Sequence, residues 1–126
     1  MDLSPHHVGI IVSDLARSKE FYGALGFETV DERVMEGKTL TFMRLGTIQM
    51  ELFAYREPVP AAEAPELALG FRHLAFETQD IDAAFAELRD GGVIPHDAAI
   101  RELPGGWRLL FFRDPDGVEI EIKQAD

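Results

Sequence analysis

The chain has 126 residues, 46% of them hydrophobic and 28% charged, with a net charge of −11 and no cysteine. That length supports one compact core and is too short for two independent domains. The acidic balance works against nucleic acid or anionic membrane as partners, and the lack of thiols leaves only nitrogen and oxygen to hold a metal.

In chain order, residues 7–12 are apolar and β-branched and predict a buried strand. Ser13 and Asp14 offer capping oxygens to a helix running to about Leu25, whose Leu15, Ser18, Phe21, Tyr22 and Leu25 share one face. Gly26 stops it. Strands are predicted at 27–35, 39–45 and 48–55, with turns at Glu36-Gly37-Lys38 and Gly46-Thr47. Residues 56–69 carry Pro58, Pro60 and Pro65 among alanines and glutamates, which reads as a linker. The order then repeats. A strand is predicted at 71–78, a helix capped by Asp80 at 81–89, and strands at 93–100, 107–113 and 118–123. Gly91-Gly92 ends the helix, and turns fall at Pro104-Gly105-Gly106 and Asp114-Pro115-Asp116-Gly117. No apolar run nears the ~20 residues that span a bilayer and no signal-like leader opens the chain, so a cytoplasmic location is expected.

The repetition extends to single residues. His7 and His73 each lie seven residues before an aspartate that precedes a helical pattern, and the two copies are 66 residues apart. Each half also holds a glutamate in an apolar strand: Glu51 lies 44 residues after His7, and Glu121 lies 48 after His73. A buried carboxylate needs a partner, and Glu51 is flanked by Met50 and Leu52. A salt bridge would satisfy it, as would a metal. Glu121 shares its strand face with Glu119 and Lys123, which a solvated sheet face would also explain. His6 competes with His7, but only His7 keeps the register of His73. Two neutral imidazoles and two carboxylates sum to −2, the charge a divalent cation neutralises. Phe53 and Trp107 read as core residues, and Arg72 and Arg108 as surface charges.

The segments His7-Val-Gly-Ile10, Leu25-Gly-Phe27, Met50-Glu-Leu52, Phe71-Arg-His-Leu-Ala-Phe76 and Phe112-Arg-Asp-Pro-Asp-Gly117 resemble the vicinal oxygen chelate superfamily. That group includes glyoxalase I, fosfomycin-resistance enzymes, methylmalonyl-CoA epimerase and extradiol dioxygenases. The resemblance implies an α+β fold in which two βαβββ modules, residues 1–55 and 70–126, form an open mixed β-barrel around one metal. It also implies a homodimer acting on a small molecule. Carried over by position, the ligands are His7, Glu51, His73 and Glu121, with Ni, Zn, Co, Mn or Fe as the divalent ion. Glu121 is the expected catalytic base, with Glu51 able to share the role, through a metal-stabilised enediolate. A glutamate at position 51 resembles glyoxalase I, since the epimerase has glutamine there and the dioxygenases use only three of the four positions. Ile11 stands where glyoxalase I carries an arginine that holds a glutathione carboxylate. The alternatives are a metal-free ligand-sequestering protein of the bleomycin-resistance kind and an iron-dependent dioxygenase.

Overall fold

The computed structural model describes residues 1–62 and 68–126. They fall into two compact units, Met1–Ala62 and Glu63–Asp126. The first unit contains strand β1 (Val8–Val12), helix α1 (Leu15–Ala24), and strands β2 (Glu28–Met35), β3 (Lys38–Leu45) and β4 (Ile48–Tyr55). The second contains β5 (Leu74–Thr78), α2 (Ile81–Asp90), β6 (Arg101–Leu103), β7 (Trp107–Arg113) and β8 (Glu119–Gln124). The order is βαβββ twice, as the repeat predicts. Of the predicted linker, Pro65 lies outside the described residues, and the described remainder has neither helix nor strand.

Each unit has one mixed four-stranded sheet, ordered β1-β4-β3-β2 in the first and β5-β8-β7-β6 in the second. Among the described residues, the parallel pairs are β1 with β4 and β5 with β8, because a helix carries the chain across after β1 and after β5. The helices are built alike. Asp14 and Asp80 accept hydrogen bonds from the backbone N–H of Arg17 and Ala83, each three residues on. Such caps contribute about 1 kcal/mol each. At the other ends, Gly26 donates to Gly23 and Phe27 to Tyr22, while Gly92 donates to Arg89 and Val93 to Leu88. Both are Schellman closures, with Gly26 at φ 104° and Gly92 at φ 70°.

Strand alternation divides each sheet into two faces. In the first unit Val12, Met43, Met50 and Leu52 are buried together with Tyr22 and Ser18 of α1. In the second, Leu110, Phe112, Ile120 and Ile122 are buried, as are Ile81 and Leu88 of α2. The opposite face of each sheet carries the glutamates Glu51 and Glu121 among aromatic neighbours, Phe42 and Phe53 in the first unit and Phe111 in the second.

One predicted strand is absent. Residues 93–100 form a loop, and the strand that follows is only Arg101–Leu103. Pro95 has no N–H to give a ladder, and its carbonyl accepts from Ala98 N–H at 3.0 Å, closing a turn where continuous pairing was expected. Burial of Ile94 explains the apolar signal without a strand. The strand predicted from residue 71 begins at Leu74, and Phe71 is fully exposed.

Arg108 on β7 donates two hydrogen bonds to Asp82 in the first turn of α2, at 2.8 and 2.9 Å. These bonds, more than charge attraction, hold the Asp82 carboxyl below its ordinary range. A lowered folded-state pKa stabilises above the unfolded value and loses that contribution as pH falls through the folded one. Unfolding midpoints of wild type and Asp82→Asn should therefore differ most near neutrality and converge below about pH 4. The gap is expected to be small and to shrink with salt, because the pair faces solvent.

Candidate functional site

Both predicted histidines lie one residue before a strand, His7 ahead of β1 and His73 ahead of β5. Register then decides what each meets. Gly9 stands opposite Glu51 across the β1–β4 pair, and Ala75 opposite Glu121 across β5–β8. In each case the histidine is two residues upstream of the small residue and so projects from the same face as the glutamate. With little side chain at Gly9 or Ala75, the imidazole can lie diagonally across the strand pair. His7 Nε2 lies 2.9 Å from Glu51 Oε2, and His73 Nε2 lies 2.7 Å from Glu121 Oε2.

The glutamates are the sheltered partners. Side-chain exposure is 11% for Glu51 and 13% for Glu121, against 35% and 29% for the histidines. A carboxylate withdrawn that far from water needs a compensating donor, which each imidazole supplies. The structure thus brings the four predicted residues together as two pairs, one in each unit. Among the described residues, no cluster of three or more His, Cys, Asp or Glu side chains stands in a metal-binding array.

Three neighbours of the pairs were not singled out by the sequence. Phe42 on β3 sits opposite Glu51, and Phe111 on β7 sits opposite Glu121. Their rings meet His7 and His73 edge-on, at centroid distances of 5.7 and 5.8 Å. The third is Glu119, whose Oε1 lies 3.4 Å from His73 Nδ1. Glu119 is itself flanked by Arg72 at 3.7 Å and Arg113 at 3.8 Å. On the other histidine, the Nδ1 atoms of His6 and His7 are 2.7 Å apart. His7 therefore faces the glutamate while His6 touches its far ring nitrogen, which separates the two candidates of the doublet.

The Asp114-Pro115-Asp116-Gly117 motif acts by aiming β8. The buried Asp114 carboxylate accepts from Asp116 N–H at 2.9 Å and Val118 N–H at 2.8 Å, and Gly117 takes φ 94°. Arg113 closes the same turn by donating to the Gly117 carbonyl at 2.8 Å. This turn fixes the register that sets Phe111 opposite Glu121. Trp107, expected in the core, is 55% exposed, with Lys123 Nζ 5.5 Å from its ring centroid. It lies on the face of Glu121, away from the helix, because it precedes Phe111 by an even number of strand residues.

These features define a class: an α+β protein of two equivalent βαβββ modules, each presenting a histidine–carboxylate pair on the sheet face away from its helix. The chain belongs to the Glyoxalase/Bleomycin resistance protein/Dioxygenase superfamily, whose profile matches residues 4–122. It is 37% identical to the Bacillus subtilis protein YwkD over 123 residues, covering 94% of each chain. The glyoxalase family protein from Enterococcus faecalis superposes with a TM-score of 0.83 at 33% identity, over 96% of this chain and 97% of that one. At 16% identity, the fosfomycin resistance protein FosX from Listeria monocytogenes, complexed with Mn(II), shares the fold with a TM-score of 0.74. That likeness covers 100% of this chain and 95% of FosX. No helix among the described residues is long and apolar enough to cross a membrane.

Proposed function

We propose that the chain is a divalent-metal-dependent enzyme of the glyoxalase I kind, a lyase or isomerase acting on a small substrate with two neighbouring oxygens. The observation that carries this reading is the doubled His–Glu pair: same face, same register and same edge-on phenylalanine in both units. A structural ion pair would need no such repetition. The donor set fits a cation, since each pair offers an imidazole Nε2 and a carboxylate oxygen within 3 Å of one another. FosX shows that the fold can accommodate a divalent ion.

In this proposal His7, Glu51, His73 and Glu121 are the ligands of the divalent ion. When bound, the cation supplies Lewis-acid stabilisation of charge developing on substrate oxygen. Glu121 takes a proton from the adjacent carbon and returns it to the next one, a task that Glu51 can share. Glu119 fixes the His73 ring through Nδ1, leaving Nε2 to face the site. Phe42 and Phe111 keep water from one side of each carboxylate.

Titration of metal-stripped protein with Ni(II), Zn(II), Co(II) or Mn(II) tests the reading. At a hundredfold excess over Kd, the ion is expected to stabilise the fold by about 2.7 kcal/mol, with bound metal confirmed by elemental analysis. His7→Ala and His73→Ala should each abolish most of the shift. If no ion binds, the proposal fails in favour of a metal-free ligand-sequestering protein.

A further inference from the structure

The duplication extends past the histidine–glutamate pairs, and there the two units part. On β4, Gln49 lies two residues before Glu51 and shares its face, with Arg44 of β3 opposite. On β8, Glu119 lies two residues before Glu121 and shares its face, with Arg113 of β7 opposite. His6 precedes His7 as Arg72 precedes His73. The same three positions therefore surround each pair, filled by Gln49, Arg44 and His6 in one unit and by Glu119, Arg113 and Arg72 in the other.

The chemistry at those positions differs. In the first unit Arg44 Nη2 donates to Gln49 Oε1 at 3.0 Å, and the Nδ1 of His7 meets the Nδ1 of His6 at 2.7 Å. The far nitrogen of His7 thus faces a second imidazole. In the other unit the far nitrogen of His73 faces a carboxylate, Glu119 Oε1 at 3.4 Å, whose side chain is only 16% exposed. Arg72 approaches the same oxygen at 3.7 Å, and Arg113 approaches Oε2 at 3.8 Å. A sheltered carboxylate needs such partners, and a guanidinium at each oxygen fixes its position. Arg113 is itself anchored, donating to the Gly117 carbonyl at 2.8 Å in the turn before β8.

We propose that this clamp ranks the ligands. Glu119 is a positioning residue that makes His73 a stronger metal ligand than His7, and Arg72 and Arg113 act by holding Glu119. A carboxylate beside Nδ1 favours the tautomer with its proton there. The Nε2 lone pair is then left for a cation, on a ring whose orientation is set and whose basicity is raised. Gln49 and His6 give His7 no negative charge at the equivalent places. The ranking rests on the reading of His7, Glu51, His73 and Glu121 as metal ligands, and it adds an order among them with a cause.

Competition for Zn(II) between the full chain and a chromophoric chelator tests this. Glu119→Gln should weaken Zn(II) binding by about 10- to 100-fold, and His6→Ala by no more than about threefold. Arg72→Met discriminates between a clamp and bare charge. Removing a cation beside a cation site tightens binding by charge alone, whereas loosening Glu119 weakens it. Weaker binding in Arg72→Met, restored in Arg72→Lys, is the expected result. Equal losses in Glu119→Gln and His6→Ala, or binding in Arg72→Met that is unchanged or tighter, overturn the proposal. Absence of Zn(II) binding by wild type is the separate failure of the metal reading. The clamp is then judged on metal-free protein by nuclear Overhauser contacts between the His73 and Phe111 rings, whose centroids are 5.8 Å apart. Their loss in Glu119→Ala, with the His7–Phe42 contacts kept, sustains the positioning role, and their persistence overturns it.

Discussion

Glu121→Gln should lower kcat on a hemithioacetal substrate by about 10²- to 10⁴-fold, the usual contribution of a positioned general base. The substitution keeps size and polarity, and its carbonyl oxygen can still accept from His73 Nε2, which lies 2.7 Å from the present carboxylate. Folding and bound metal should therefore be largely retained while the proton acceptor is lost. Glu51→Gln makes the comparison informative, because its setting is closely equivalent, with His7 at 2.9 Å. A smaller loss there would place the base in the second module, and equal losses would mean shared proton transfer. Full activity in Glu121→Gln, with metal content confirmed, would remove the assigned role. The measurement is steady-state kinetics alongside elemental analysis of the same samples.

The largest stability effect is expected one residue from a site glutamate. Leu52 follows Glu51 on β4 and points to the other face, where it is fully buried. Its strand lies between β1 and β3, with Ile10 and Thr41 as register partners. Leu52→Ala removes buried methyl groups from a layer that also holds Met50, Met43, Val12 and Tyr22. Such truncations cost roughly 2–5 kcal/mol, a large share of the ~5–15 kcal/mol of a typical domain. Denaturant unfolding should show the midpoint falling with little change in slope. Val34→Ala on β2 is the control: the residue is 79% exposed, so its change should stay within about 0.5 kcal/mol. A Leu52→Ala protein as stable as that control would contradict the division of faces described for the first sheet.

Most of the element order was legible because the two modules punctuate themselves. Asp14 and Asp80 cap, Gly26 and Gly92 close, and the apolar stretches between them have strand or helix periodicity. The strand expected at 93–100 was misread because Val93, Ile94 and Ile100 supply apolar signal without alternation, and Pro95 outweighs it. The glutamates and histidines were legible through duplication alone, since nothing local marks His73 as different from a structural histidine. Their neighbours were harder to see. Phe42 and Phe111 become partners of Glu51 and Glu121 only through cross-strand register, which depends on where each hairpin turns. Counting outward from Gly46-Thr47 and from the turn at 114–117 would have found both. Glu119 was hidden differently. It shares its face with Glu121, and only the direction of the His73 ring shows that it meets Nδ1.

The pairing of Gly9 and Ala75 with the two glutamates has a consequence for how relatives of this chain can be judged. A Cβ added at Gly9 would already come within 3.1 Å of the Phe53 ring, so even alanine there must displace an aromatic neighbour. A longer side chain at either place would occupy the diagonal that the imidazole crosses and tip it away from its acid. Homologues that keep both histidines and both acids but enlarge the second residue after either histidine should then have lost the His–Glu contact on which the proposed metal site depends. A count of those four residues would not reveal the loss, whereas the bulk of that one neighbour would.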